Sequence, residues 1–487
     1  MTAAPYYTTG GVSLHLGRNL DVLPTLADAS VDAIVTDPPY ELGFMGRSWD
    51  ASGIAYSVDM WAQCLRVLKP GGHLVAFGGT RTYHRMTVAI EDAGFEIRDS
   101  LHWLYGSGFP KGADISKALD KRRDDRTEIL RVTAWLKSAR DAAGWTSARL
   151  NEAFGFHSAG MAQHWTTQGK AAAVPTPAQW DRLRELLGFD DAEIVSVVAE
   201  LNGRKGLLGE AWAQRRVTGQ RTTGLGTGRG SVPVIRDTGS RDVTAPSSID
   251  AQRWQGWNTA LKPAHEPIVL ARKTTGIAST AANVLRHGTG ALNIDACRTG
   301  DPSGGRWPTN VVLSHSPLLD EYDTPVGDAC ADGCVPGCPA VDLDAQSGTR
   351  TSGKMRAGTQ RSNREGWAGR MPAATGSETY GDSGGASRFF PAFRYEAKAP
   401  ASERPRLPDG TAHPTVKPLA LMRWLVRLVT QPGGLVLDPF AGTGTTLEAA
   451  AVEGFRAVGV EEHEPYADLC RIRLAKPIAG VLFGDVA

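Results

Sequence analysis

Val31-Asp32-Ala33-Ile34-Val35-Thr36 is a nearly unbroken apolar run that ends in Asp37-Pro38-Pro39-Tyr40. A strand covered on both faces has no polar alternation, so this run predicts a buried parallel strand whose C-terminal end opens into a proline-stiffened loop. Helical spacing over 61–68, stopped by Lys69-Pro70-Gly71-Gly72, predicts a helix. A second buried strand is predicted at 73–77, a helix at 80–93 closed by Gly94, and a third strand at 95–103. This rhythm predicts a doubly wound α/β sheet. It returns after His413, with a helix at 418–430, a strand at 435–437, a helix at 445–453 and a strand at 457–460.

Between these halves the texture changes. From about residue 125 the pattern is helical only, with helices at 127–143, 146–155 and 158–165, and another starting near Thr176 that carries Trp180, Leu183 and Leu187 on one face. The two short helices around Gly155 form a helix-turn-helix pattern that resembles phage-repressor-type domains, and the resemblance implies that Arg149, Gln163 and His164 face DNA; the alternative is a packing subdomain without DNA contact. Residues 203–246 are rich in Gly, Arg and Thr and predict a flexible segment. A local excess of arginine over 347–388 suits either a DNA channel or a solvated loop.

At 487 residues the chain is too long for one ordinary core, and two to four domains are expected. A net charge of +1 gives no global basic signature, so any nucleic-acid contact must come from local patches. No apolar stretch is long enough to span a membrane, and the first residues show no leader pattern, which predicts a cytoplasmic protein. Six cysteines in so long a chain do not make a disulfide framework. Cys330, Cys334 and Cys338, with His315 upstream, suggest either a structural zinc site or free thiols on a loop.

Two segments carry chemistry. Asp438 ends a predicted strand, Phe440-Ala441-Gly442-Thr443-Gly444 turns, and a helix starts near Thr445. The glycines let the backbone approach a ligand, and the helix N-terminus favours an anion such as the carboxylate of S-adenosylmethionine. Glu461 follows at the end of the next strand, a spacing that suits an acid bonding ribose hydroxyls. The second segment is Asp37-Pro38-Pro39-Tyr40. An aromatic amino group is a poor nucleophile because its lone pair is delocalised into the ring. Asp37 and the Pro38 carbonyl can accept both N–H bonds and localise that pair, Pro38 and Pro39 fix the turn, and Tyr40 can stack on the base. Methyl transfer from sulfonium to nitrogen is direct and in line, and it requires no metal and no covalent intermediate.

These residues resemble the DNA methyltransferases that modify adenine N6 or cytosine N4. The order, catalytic tetrapeptide before glycine loop, is similar to the β class, whose sheet is circularly permuted. His413-Pro414-Thr415-Val416-Lys417-Pro418, Glu461 with Tyr466, and Arg66-Val67-Leu68-Lys69-Pro70-Gly71-Gly72 also resemble that family, so the likeness covers about 1–120 and 398–487. Ala260 to Pro267 and Arg306 to Asn310 resemble larger members from phages and restriction systems. One departure is Gly17-Arg18-Asn19, where the family has a Gly-Asp turn; Asp21 or Asp485 could substitute.

The resemblance implies a circularly permuted Rossmann-like, S-adenosylmethionine-dependent α/β methyltransferase sheet with an inserted helical domain and a target-recognition region. The expected division is a catalytic half at 1–125, a helix-turn-helix-like domain at 126–202, a flexible segment at 203–250, target recognition at 251–397 and a cofactor half at 398–487. It implies cofactor contacts from Asp438, Phe440, Gly442, Gly444, Thr445, Glu461 and Lys417, and catalysis by Asp37, Pro38, Pro39 and Tyr40. The substrate is then double-stranded DNA with the target base flipped out, held by Tyr40 and by Phe44 or Trp49. Adenine N6 is the expected acceptor and cytosine N4 the alternative, in a monomer or dimer, with or without a restriction partner. A cytosine C5 enzyme needs a Pro-Cys nucleophile, which the chain lacks. Protein-glutamine and RNA methyltransferases usually carry the Pro-Pro-Tyr motif after the cofactor loop. A helix-turn-helix regulator on an inactive methylase body is opposed by the intact Asp37 and Gly442.

Overall fold

The computed structural model describes residues 4–43, 48–105, 112–123, 125–156, 162–222, 226–227, 233–234, 240–300, 305–315, 338–353, 364–366, 369–371, 381–394, 405–413 and 415–476. The chain forms two compact units, one of residues 1–109, 225–236 and 263–487, the other of 110–224 and 237–262.

The first unit is built on a ten-stranded sheet. Its strands are β1 (Tyr7–Thr9), β2 (Val12–Leu16), β3 (Val31–Thr36), β4 (Leu68–Phe77), β5 (Phe95–Leu104), β6 (His265–Lys273), β7 (Val311–His315), β8 (Ala392–Arg394), β9 (Leu435–Asp438) and β10 (Arg456–Glu461). They lie in the order β1-β2-β10-β9-β3-β4-β6-β5-β7-β8. β1 pairs antiparallel with β2, and β6 pairs antiparallel with β4 and β5; every other neighbouring pair is parallel.

All of β3 is buried, which is why its sequence shows no alternation. Ala33 and Val35 face one apolar layer and Ile34 the other; on β4, Val75 and Phe77 share the first layer, Leu74 and Ala76 the second. The first layer is covered by the helix Leu419–Val429, where Leu421, Leu425 and Leu428 recur at helical spacing. The second is covered by the helix Val58–Val67, through Met60, Trp61, Cys64 and Val67, and by Ile90 of the helix Tyr83–Asp92.

The seam between β3 and β9 joins the N-terminal part of the chain to the C-terminal part, with Ala33 opposite Val436 and Ile34 opposite Leu437. Asp32, the one charge inside the apolar run, fastens the start of this seam. It accepts the Leu435 N–H at 2.8 Å and the Lys69 ammonium at 2.6 Å. The strand carrying the Asp37 loop precedes in sequence the strand carrying the glycine loop, as a circularly permuted sheet requires.

Two differences from expectation concern this sheet. β4 starts at Leu68, because Lys69 to Gly72 continues the strand instead of forming a loop. Gly71 takes a φ of +80° there, and a Cβ on it would overlap Asn283 Nδ2. β6, which the hydrophobic pattern did not single out, lies between β4 and β5 in the middle of the sheet.

In the second unit the helices Arg126–Ala142, Ser147–Ala153, Pro177–Leu187 and Val195–Gly203 enclose Val132, Leu136, Leu150, Trp180, Leu183 and Val198. The Thr146 hydroxyl caps Ser147–Ala153 by accepting the Arg149 N–H at 3.2 Å, and Gly155 turns the chain with a φ of +67°. The second helix of the helix-turn-helix pattern is not an α-helix over its described part. Residues Ala162–Trp165 form a single 3-10 turn, and Met161 lies outside the described residues.

Candidate active site

Three parallel strands end side by side at one edge of the sheet: β3 runs into Asp37, β9 ends on Asp438 and β10 on Glu461. From β3 the chain passes to β4 on one side, while β9 and β10 lie on the other. A crevice outside strand C-termini at such a reversal is where open α/β sheets bind ligands. The Thr36 hydroxyl closes the seam here by donating to Asp438 Oδ1 at 2.6 Å. Asp438 also accepts the Phe440 N–H at 3.0 Å. Burial pushes its carboxyl up to about 6, against the opposing hydrogen bonds from Thr36 and Thr446.

The glycine loop turns through two left-handed residues, Gly442 at φ +52° and Gly444 at φ +77°. A Cβ on Gly444 would overlap Cys470 Sγ, whereas one on Gly442 would meet only His413 Nε2, at 3.8 Å. Gly444 is therefore a packing and turning residue, and Gly442 faces open space. Gly444 caps the helix Thr445–Val452, and Thr445 itself is buried. Glu461 Oε2 accepts the Gly442 N–H at 2.8 Å and its Oε1 the His463 N–H at 2.9 Å, so each oxygen keeps a lone pair for a further donor. Burial pushes the Glu461 carboxyl up to about 7. The folded chain thus holds this proton more tightly than the unfolded chain, and the ligand-free protein gains stability as pH falls from 8 towards 5. We expect the Tm of the ligand-free protein to rise over that interval and the rise to shrink in Glu461→Gln. Parallel Tm-versus-pH curves for the two proteins would count against the assignment.

Across the seam lies a cluster of acceptors around one ammonium. Lys417 Nζ donates to Asp37 Oδ2 at 2.7 Å and to the Tyr40 hydroxyl at 3.0 Å, and stands 3.4 Å from Glu266 Oε2. The Tyr40 hydroxyl donates to Glu266 Oε2 at 2.7 Å, and the Tyr40 carbonyl accepts the Thr82 hydroxyl at 2.7 Å. Burial alone would lower the Lys417 pKa, but Asp37 and Glu266 outweigh it and hold the ammonium above its usual range. Burial, then the charges of Asp37 and Glu266, push the Tyr40 phenol well up, so it stays a neutral donor. Asp37 Oδ1 is buried and has no hydrogen-bond partner among the described residues.

The sequence-predicted residues distribute as follows. Pro39 and Tyr40 line a small pocket with Tyr56, Gly79, Thr82 and Tyr83. Lys417, expected at the cofactor, donates to Asp37. Phe440 packs into the layer beneath the sheet, its ring 6.5 Å from Trp61. Glu266 was not foreseen as a site residue; its only signal was the resemblance of the segment from Ala260 to Pro267. Arg18, in the departure from the Gly-Asp turn, reaches exposed Glu462 at 3.8 Å. Phe44 lies outside the described residues, as does the side chain of Trp49.

Arg149, Gln163 and His164 belong to the second unit. Arg149 is exposed with its guanidinium 4.0 Å from the Trp145 ring centre, Gln163 is exposed and His164 half-buried. Of the zinc candidates, Cys330, Cys334 and the His315 side chain lie outside the described residues, and Cys338 is buried against Leu313 and Ala340. Among the described residues no group of three or more His, Cys, Asp or Glu could hold a metal ion. In the basic stretch, Arg388 is committed to the Gly384 and Gly385 carbonyls and lies 3.4 Å from Asp382; Lys354, Arg356 and Arg361 lie outside the described residues. No described helix is long and apolar enough to cross a membrane.

A permuted, mostly parallel sheet with a carboxylate loop and a glycine loop at the same strand ends defines an α/β protein of the methyltransferase class. The model of the N6/N4 DNA methylase family matches residues 31–130 and 244–471, more than half of the chain, and the chain belongs to that family. Over 63 residues it is 44% identical to YubD of Escherichia coli (strain K12), covering 13% of this chain and 28% of that protein. Over 85 residues it is 36% identical to the type II methyltransferase M.ScaI of Streptomyces caespitosus, covering 18% and 26%. The chain thus spans about a quarter of the length of these curated relatives. Among solved structures it aligns with the cytosine-N4-specific PvuII DNA methyltransferase at 13% identity and a TM-score of 0.37, over 96% of this chain and 88% of that one. It aligns with the M1.HpyAVI–SAM complex at 12% identity and a TM-score of 0.33, over 95% and 98%.

Proposed function

We propose that the protein transfers a methyl group from S-adenosylmethionine to the exocyclic amino group of a base flipped out of double-stranded DNA, with adenine N6 as the acceptor. The observation that carries this reading is the buried, unpartnered Asp37 Oδ1, an acceptor without a donor beside a loop suited to a nucleotide. An unpaired buried acceptor is costly, and a substrate N–H relieves that cost. A ring carbonyl in the same place would set acceptor against acceptor, so the site favours an amine.

The opposite side of the crevice fits S-adenosylmethionine. Glu461 keeps lone pairs for ribose hydroxyls, Gly442 leaves open space, and the N–H groups opening the helix Thr445–Val452 suit a carboxylate. When bound, S-adenosylmethionine supplies a sulfonium-activated methyl group. Asp37 accepts one amine N–H and the Pro38 carbonyl the other, turning the nitrogen lone pair out of the ring. Tyr40, held by Thr82 and Glu266, gives the base a stacking face. The second unit offers Arg149 and Gln163 as exposed contacts to DNA. In the family the sequence resembles, an aspartate heading this tetrapeptide leans toward adenine and a serine toward cytosine N4, which is the ground for preferring adenine.

The test is incubation with mixed-sequence duplex DNA and tritiated S-adenosylmethionine, followed by digestion to nucleosides. We expect label in N6-methyladenine. Label confined to N4-methylcytosine would overturn the choice of base, and unlabelled DNA of every sequence would overturn the reading.

A further inference from the structure

We propose that Lys417 and Glu266 are positioning residues that decide which oxygen of Asp37 meets the substrate amine. The inference rests on the function proposed above and adds two residues to it. An ammonium has three protons and accepts nothing. Lys417 has three acceptors around it: Asp37 Oδ2 at 2.7 Å, the Tyr40 hydroxyl at 3.0 Å and Glu266 Oε2 at 3.4 Å. The Tyr40 hydroxyl donates its one hydrogen bond to Glu266 Oε2, at 2.7 Å. Among the described residues, Asp37 Oδ1 is the buried oxygen of this network that these bonds leave without a donor. With Oδ2 gripped, the carboxylate cannot rotate to exchange its oxygens, and Oδ1 keeps one direction.

The architecture that delivers these groups is specific. Lys417 comes from 380 residues beyond Asp37 along the chain, and Glu266 from 226 beyond Tyr40. Glu266 reaches the cluster because β6 runs antiparallel to β4. Ile268 is opposite Phe77, the last residue of β4, so the residues before Ile268 project past the strand end, where the Asp37 loop lies. The rings of Phe77 and Tyr40 stand 4.8 Å and 5.1 Å from Lys417 Nζ and exclude water from its contacts. Asp438 lies near enough to Asp37, and His413 near enough to Lys417, for each pair to feel the other's charge. The cluster holds two carboxylates and one ammonium, so its surplus negative charge is offered at the open oxygen.

The roles separate by pH. Without the ammonium, two carboxylates face each other in a mostly buried site and retain a proton more readily. In Lys417→Gln we expect kcat at neutral pH to fall roughly a hundredfold, the size seen when one preorganised electrostatic partner is removed. KM for DNA and the Kd for S-adenosylmethionine, measured by calorimetry on the full-length protein, should stay within about threefold. The acidic limb of its kcat–pH profile should move up, so the deficit narrows as pH rises. Lys417→Arg should recover most of the rate. Glu266→Gln keeps shape and hydrogen bonding but removes a negative neighbour, and its acidic limb should move the other way.

A kcat–pH profile for Lys417→Gln that overlays the parent's would overturn the inference. So would a Kd for S-adenosylmethionine weakened in step with kcat, which would return Lys417 to the cofactor. If Lys417→Gln does not fold, Glu266→Gln decides alone, and an unmoved limb overturns the proposal. DNA left unlabelled by the parent protein is a separate result that overturns the functional reading and this role with it.

Discussion

Asp37→Ala is expected to abolish methyl transfer while leaving S-adenosylmethionine binding within about threefold of the parent. The two sides of the crevice are built from different strands: the carboxylate follows β3, whereas the glycine loop and Glu461 follow β9 and β10. Asp37→Asn is the sharper variant because it keeps the shape. Lys417 is a pure donor, so it would draw the amide oxygen to itself and leave the amide NH2 in the place of Oδ1. A donor would then face the substrate's own N–H groups. The loss should be roughly a thousandfold or more, since a charged acceptor is replaced by a repulsive contact. Single-turnover transfer of tritium to DNA measures the effect, and a rate within tenfold of the parent would contradict the assigned role.

Gly444→Ala should be the most damaging conservative change in the cofactor loop. The residue sits at φ +77°, and its missing Cβ leaves the space taken by Cys470 Sγ. Left-handed backbone on a non-glycine residue costs about 1–3 kcal/mol, and overpacking a tight core costs a similar amount. We expect a loss of about 2–5 kcal/mol in denaturant unfolding together with loss of S-adenosylmethionine binding. The two contributions can be separated. Cys470→Ala in the Gly444→Ala background removes the overlap and leaves the backbone strain, so it should recover part of the loss but not all. A Gly444→Ala protein within 0.5 kcal/mol of the parent would mean that the loop can open away from the helix Glu464–Leu474.

The parallel strands were legible because burial on both faces leaves an unbroken apolar signature, and β3, β9 and β10 carry it. The loops at their ends were legible because proline and glycine have narrow conformational uses. Glu266 was not. The apolar run from Ile268 to Ala271 fits a strand or a buried helix equally, and only its pairing with β4 and β5 places it. Lys417 was readable as part of a motif, but its partner was not. The 2.7 Å contact with Asp37 joins residues 380 apart in sequence, a proximity that no local pattern encodes. The second helix of the helix-turn-helix pattern is described only over Ala162–Trp165, as a 3-10 turn. Spacing on the apolar face suits a 3-10 turn as well as an α-helix over one turn, and in the described part Ala162 and Trp165 face the core.

The seam also bears on synthesis. β3 leaves the ribosome early, but the strand that covers one of its edges follows some 400 residues later; the Thr36–Asp438 bond spans 402. At roughly 5–20 residues per second, that edge waits about 20–80 seconds without its partner. An apolar strand with free backbone donors invites pairing with another chain. Over that interval the nascent protein should depend on chaperone protection, and faster translation of the intervening segment should improve its soluble yield.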